Sequence, residues 1–314
     1  MSKESLKIYG LIGYPVKHSL SPIMHNFLFK FYGFKAEYRL FEVKPEDLRD
    51  FLISPDREFK DTEGNLVRAA DVAGFNITIP HKVSALQFFK ENRLLKNVTV
   101  QTNIQVDIIG AINTVTRSKG KIVYNNTDCE GFRRSLTEDL KFDPKDKNVL
   151  IFGCGGAGRA VVVGLNIKPA VKTIYIYEKN LETVKSVKEH LDIYKSQLCE
   201  YKFISEQDIP QVVKKCQLLV NASPIGMKDT DPPVINKSLL HKDLAVYDVV
   251  YNRETQLIKD AKELALPVAG GLGMLLYQGV AAWQLWTGKK ADDKIIRIIW
   301  KALEEEIKGE QKNV

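Results

Sequence analysis

The 314-residue chain is poor in the features that would assign it to a special class. Its four cysteines stand at positions 129, 154, 199 and 216, and no two have CxxC or zinc-ligand spacing. Neither a disulfide scaffold nor a metal site is expected, and the residues read as free thiols in a reducing compartment. Only 12 prolines and 20 glycines are present, which excludes collagen-like and low-complexity architectures. The longest apolar stretch, near Leu272–Trp286, is interrupted by Gln278 and Gln284 and falls short of the ~18 residues a membrane-spanning helix needs. The opening MSKESLKIYG lacks the apolar core of a signal peptide. A cytoplasmic protein with no membrane partner is therefore expected. Lys/Arg runs are absent too, so the 46 basic residues against 39 acidic ones do not suggest a nucleic-acid partner. The net charge of +7 does favour small anions.

What remains is ordinary globular composition, 44% hydrophobic and 27% charged. At roughly 150 residues per domain, two domains are expected, each able to bury its own core. LKIYGLIG (6–13) reads as a strand and 22–33 as a helix, with Pro22 at its start and Ser21 placed to cap it. Strands are expected at 38–43 and 73–79, helices at 45–52 and 83–95, and a hairpin formed by AINTVTR and KIVYNNTD. The polar stretch 54–71 reads as an exposed connection, and 96–110 carries no clear period. From about 147 strands alternate with helices, beginning with the continuous apolar run NVLIFG, which implies parallel βαβ units. Residues 275–306 read as helical apart from TGKKADD.

The sharpest motif is Gly153-Cys154-Gly155-Gly156-Ala157-Gly158, a GxGxxG that follows an expected strand and opens an expected helix. Gly153 permits a tight turn, Gly155 lets backbone approach a pyrophosphate, and Gly158 lets helix and strand pack closely. The helix N-terminus offers unbonded N–H groups and a partial positive charge to phosphates. Glu178 lies 20 residues after Gly158 and ends the second expected strand, where a carboxylate bonds the adenine ribose of NAD. The plainer, less favoured alternative is a solvated surface carboxylate. Lys179 follows and could offset its repulsion of a 2′-phosphate.

The N-terminal half carries polar residues where a plain core would not place them. Ser19 and Ser21 bracket a leucine before a helix, Thr78 and Lys82 flank Pro80, and Asn113 and Asp128 sit in AINT and NNTD. Singly, each has an ordinary explanation: a helix cap, a solvated lysine, a turn asparagine. Together with other segments they form an ordered series: GYPVKHSLSPIMHN, FNITIPHK, GAINTV, YNNTDCEGF, GCGGAG, NASPIGM, YDVVYNRETQL and GGLGMLLYQGVAAWQLWTG. The series resembles the shikimate dehydrogenase family, including its quinate/shikimate members, over nearly the whole chain.

The resemblance implies two α/β domains. An N-terminal substrate domain would span 1–127 and 272–314, and a Rossmann-type, doubly wound dinucleotide-binding domain 128–271. It implies a catalytic pair, Lys82 and Asp128, and a substrate carboxylate held by Ser19, Ser21 and Tyr251. Ring hydroxyls would be held by Thr78, Asn113 and Gln278. Besides the glycine loop, Asn221, Ser223, Val249 and Gly271 would cradle the nicotinamide side. The implied activity is reversible reduction of 3-dehydroshikimate to shikimate in aromatic amino-acid biosynthesis. Quinate or dual quinate/shikimate oxidation with NAD, and a non-catalytic ligand-binding regulator, are the alternatives. Lysine and carboxylate suit the chemistry, because an ammonium can donate to a carbonyl oxygen as charge develops and take the proton back in reverse. Family members commonly carry an arginine-bearing NRT-type segment that contacts the 2′-phosphate of NADP. Glu178-Lys179-Asn180 stands there instead, which leaves NADP or NAD open and shifts the expectation toward NAD-using or dual members. A monomer or homodimer is expected.

Overall fold

Runs buried along almost their whole length, KIYGLIG and VAGFNI in the N-terminal half and NVLIF and LLVN later, form the central strands of two sheets. The computed structural model describes residues 5–92, 99–101, 104–118, 120–195 and 199–312. The chain divides into two units, Met1–Thr127 with Gly279–Glu305 and Asp128–Gln278 with Glu306–Val314. Among the described residues no helix is long and apolar enough to cross a membrane.

In chain order the first unit contains β1 (Lys7–Gly13), α1 (Ser21–Phe31), β2 (Ala36–Glu42), α2 (Leu48–Ile53), β3 (Glu58–Lys60) and β4 (Leu66–Arg68). There follow β5 (Val72–Ile77), α3 (Lys82–Glu91), β6 (Thr99–Gln101), α4 (Ile104–Ile109), β7 (Thr114–Ser118) and β8 (Lys121–Asn125). Its six-stranded sheet has the order β2-β1-β5-β7-β8-β6, with β5–β7 and β7–β8 antiparallel and the other pairs parallel. Alternation sends Ile8, Ile12, Phe75, Ile77 and Val115 to one face, where they meet Phe51 of α2 and Phe89 of α3. On the other face Tyr9 stacks on Phe29 of α1 at 5.0 Å and meets Trp286 at 5.0 Å.

Three expectations are corrected here. The stretch 54–71 is not a bare connection: β3 and β4 pair antiparallel, Val67 and Ala69 are buried, and Arg57 pairs with Asp47 and Asp50. Several of its charges pair with residues before the stretch, Arg57 with Asp47 and Asp50 and Asp61 with Arg39, so polarity alone hid the hairpin. Ser21 is the first residue of α1 rather than its cap, and Ser19 Oγ accepts its N–H at 3.3 Å. Starting at Ser21 puts that hydroxyl inside the first turn, one position too late to cap. The strand ending KIVYNNTD stops at Asn125, and Asp128 heads a helix instead. Part of 96–110 resolves into β6 and α4, while 93–98 and 102–103 lie outside the described residues.

The second unit runs α5 (Asp128–Glu138), β9 (Asn148–Phe152), α6 (Gly156–Asn166), β10 (Thr173–Tyr177), α7 (Leu181–Ile193), β11 (Glu200–Phe203) and α8 (Ile209–Val213). It continues with β12 (Leu218–Asn221), β13 (Ala245–Asp248), α9 (Gln256–Glu263) and β14 (Val268–Ala269). The division between the units falls within α10 (Leu272–Thr287), and α11 (Asp293–Lys312) follows. The sheet is wholly parallel in the order β11-β10-β9-β12-β13-β14. Renumbered from β9, that is 3-2-1-4-5-6, the doubly wound nucleotide-binding topology. Val149 and Ile151 pack toward α5, α6 and α7, while Leu150 and Phe152 pack toward α8 and α9. Helices cover both faces, so β9, β12 and β13 read as unbroken apolar runs.

Candidate functional site

In the first unit the residues singled out by sequence cluster around the ends of β1, β5 and β7. Ser19 Oγ donates to Ser21 Oγ at 3.2 Å; Ser19 is half-buried and Ser21 buried. The segment Thr78–Lys82 is a tight turn: Thr78 N–H donates to Ile12 O at 2.9 Å, and His81 N–H donates to Thr78 O at 2.9 Å. The buried His81 ring contacts Val43 O at 2.6 Å, which fixes the turn against β2. Gly13 is required beside it, because a Cβ there would lie 2.3 Å from Thr78 Cγ2. Lys82 opens α3 half-buried, and its carbonyl accepts from Ile112 N–H at 2.9 Å. Lys82 and the AINT segment are thereby tied through backbone.

Asn113 is buried at the centre of a polar network that sequence reasoning missed. Its Oδ1 accepts from Thr127 N–H at 2.7 Å and Thr114 Oγ1 at 2.9 Å, and its Nδ2 donates to Thr127 Oγ1 at 3.0 Å. Asn76 of β5 donates to Thr114 Oγ1 at 3.0 Å and accepts from Tyr38 OH at 2.8 Å. Asn126 Nδ2 donates to Ala111 O at 3.0 Å. An asparagine inside AGFNITI, in line with buried apolar residues, was the available signal.

In the second unit the glycine turn follows β9 as the motif requires. Gly153 has φ of +86° and its missing Cβ would meet Ser223 backbone at 2.8 Å, which brings the loop against NASPIGM. Gly158 lies against Gly153 O, 2.4 Å from a hypothetical Cβ. Gly155, exposed, has nothing within 4 Å of that position. With Gly156 and Ala157 opening α6, the loop offers open space and helix-end N–H groups to a pyrophosphate. Arg159, just after Gly158, is buried, and its Nε has no hydrogen-bond partner among the described residues. A buried guanidinium with an unpartnered Nε beside an open glycine turn fits a phosphorylated dinucleotide. Glu178 is half-buried rather than solvated: Cys154 N–H donates to one oxygen at 2.8 Å and Asn180 N–H to the other at 2.9 Å. Lys179 is exposed.

The nicotinamide-side candidates also converge. Asn221 ends β12, fully buried; its Oδ1 accepts from Ser223 N–H and Oγ, and its Nδ2 donates to Ile225 O and to Asp248. Asp248, which sequence reasoning did not select, accepts from Asn221 at 2.9 Å, Val250 N–H at 3.0 Å and Thr255 Oγ1 at 2.6 Å. Burial pushes its carboxyl up to about 6, and those three donors pull the other way. A carboxylate inside AVYDVV was the overlooked signal. Val249 and Gly271 touch, since a Cβ on Gly271 would lie 2.0 Å from Val249 O. Asp128 heads α5, buried, where the helix N-terminus favours a carboxylate. Gln278 is buried against α5, 2.8 Å from a Cβ placed on Gly131, one turn after Asp128. Tyr251 is half-buried after β13.

Residues 11–115 match the family model "Shikimate dehydrogenase substrate binding domain", and 271–303 match "Shikimate 5'-dehydrogenase C-terminal domain". The chain is 36% identical over 295 residues to shikimate dehydrogenase (NADP(+)) of Methanopyrus kandleri, covering 92% of this chain and 93% of the relative. It superposes with a TM-score of 0.77, at 31% identity, on a crystal structure of a shikimate dehydrogenase in complex with NADP+, covering 98% of both chains. A Listeria monocytogenes shikimate 5-dehydrogenase in complex with shikimate and NAD gives a TM-score of 0.75 at 27% identity, covering 95% of this chain and 97% of that one. With relatives above 30% identity matched along almost its entire length, the chain belongs to the shikimate dehydrogenase family.

Proposed function

We propose that this protein is a shikimate dehydrogenase that reversibly reduces 3-dehydroshikimate to shikimate with NADP(H), in aromatic amino-acid biosynthesis. The observation that carries the reading is the likeness to NADP(+)-named relatives across both units, with the glycine turn, Lys82 and Asp128 all in place. The nicotinamide, when bound, supplies the hydride chemistry. Lys82 donates a proton to the ketone oxygen as negative charge develops there, and takes it back from the hydroxyl in the oxidative direction. Asp128 is the carboxylate of the proposed catalytic pair and accepts from the reacting hydroxyl. Ser19, Ser21 and Tyr251 present hydroxyl donors to the substrate carboxylate. Thr78, Asn113 and Gln278 hold the ring hydroxyls. Asn221, Ser223, Val249 and Gly271 shape the surface that receives the nicotinamide, and Gly153–Gly158 receives the pyrophosphate. The first unit is the substrate domain and the second the dinucleotide-binding domain. The enzyme acts in the cytoplasm as a monomer or homodimer, on a small anion that its net charge of +7 attracts.

Glu178 favours a second reading, a dual enzyme that also oxidises quinate or uses NAD. A steady-state assay with shikimate or quinate, each with NADP⁺ or NAD⁺, separates the two. Turnover greatest with shikimate and NADP⁺ is expected. Quinate or NAD⁺ as the better partner would favour the second reading, and no turnover of either acid would overturn both.

A further inference from the structure

Arg159 is the second unit's anomaly. It sits in the first turn of α6, only 5% exposed, on a helix whose next six residues are Ala160–Leu165, all buried. Among the described residues its guanidinium makes one hydrogen bond, a long 3.5 Å contact from Nη2 to Ser186 Oγ on α7, and Nε has no partner. Burial lowers its hold on its proton, and the Cys154 thiol acts in the opposite sense. That thiol is fully buried and pushed up to about 12, so it carries no negative charge to neutralise the guanidinium. Among the described residues no carboxylate pairs with the guanidinium; a buried cation without a counter-ion is costly, and such a site calls for an anion.

Position identifies which anion. The guanidinium reaches toward α7 and lies beside Cys154, whose N–H holds the Glu178 carboxylate. In a 3-2-1-4-5-6 sheet this corner, between the glycine turn and the end of the second strand, receives the adenosine ribose, and the 2′ position lies against the strand-end acid. Glu178 does not oppose a phosphate there with an unengaged carboxylate. Each of its oxygens accepts a backbone N–H, so it braces the glycine turn to the β10–α7 connection.

Resting on the NADP reading above, we propose that Arg159 reads the 2′-phosphate of NADP, supplying from α6 the cation that the strand end lacks. An arginine fork matches a phosphate bidentately and an ammonium does not.

The test is calorimetric binding to the full-length chain of adenosine 2′,5′-bisphosphate and of 5′-AMP, which differ only by the 2′-phosphate. Wild type should bind the bisphosphate more tightly. Arg159→Gln should weaken the bisphosphate roughly 10–100-fold and 5′-AMP less than about twofold, as expected for loss of a charged hydrogen bond. Arg159→Lys keeps the charge but not the fork and should fall between, so it carries the test if the glutamine variant does not fold. Equal weakening of both ligands, or an unchanged preference, would overturn the assignment of Arg159 and leave the NADP reading standing. A wild type without preference for the bisphosphate would overturn both.

Discussion

Each unit of the molecule builds a buried polar network next to its candidate residues, but the two networks are made of different chemistry. In the first unit Tyr38, Asn76, Thr114, Asn113 and Thr127 are all neutral amides, hydroxyls and a phenol. In the second, Asn221, Ser223 and Thr255 are organised around a carboxylate, Asp248. His25, the titratable ring beside Asn76 and Tyr38, is held neutral near neutrality because burial lowers it to about 3, whereas the buried carboxylate of the second network ties its loop to a proton. The difference also follows the proposed division of labour. In that proposal the neutral donors and acceptors of the first network suit a substrate rich in hydroxyls, and the second network shapes a loop proposed to receive the cofactor.

The largest effect that would sharpen this comparison is at Lys82. Lys82→Ala should lower kcat roughly 10²–10⁴-fold, with the dissociation constant for NADP⁺ unchanged by titration. A variant that keeps most of its kcat would remove Lys82 from the chemistry, and one that loses NADP⁺ affinity as well would break the separation between the units.

Next is Asp248, whose folded value of about 6 lies above the unfolded carboxylate's 3.8. The native state holds the extra proton between those values, so Asp248 makes the fold lose stability as pH rises from about 4 to about 6. The loss is on the order of 2–3 kcal/mol at pH 7. Denaturant melts of wild type and Asp248→Asn across pH 4–7 isolate it as a difference in slope. Parallel slopes would show that the second network is as indifferent to pH as the first.

The smallest effect is at Ser19, whose Oγ contacts both Ser21 Oγ and Ser21 N–H. Ser19→Ala should raise KM for shikimate roughly tenfold, the loss of one charge-assisted hydrogen bond, while KM for NADP⁺ holds. An unchanged shikimate KM would make Ser19 a turn-shaping residue only.

Legibility differed between the units for physical reasons. The second unit was read almost element by element, since strands buried on both faces are continuous apolar runs and the glycine turn has backbone requirements that only glycine meets. The hairpin β3–β4 was missed because its buried apolar residues are few, Val67 and the partly buried Phe59, and stand among charges that look solvent-facing in sequence. The start of α5 at Asp128 was missed because NNTD reads as strand-end polarity. Ser19 and Ser21 were both selected, but which of them contacts the helix N-terminus depends on a one-residue shift in where α1 begins.

The sequence by itself determined the two sheets, the dinucleotide turn and the family, because periodicity, glycine spacing and motif order are properties of neighbours along the chain. It also named the candidate residues. Only the tertiary structure decided the partners of the polar ones. Asn76 meets Asn113 through pairing 37 residues apart, Glu178 bonds a loop 24 residues upstream, and Asp248 is 27 residues from Asn221. Burial and charge at such positions depend on groups that no local pattern encodes, so Arg159 is one more basic residue in a helix until the fold encloses it without a counter-ion.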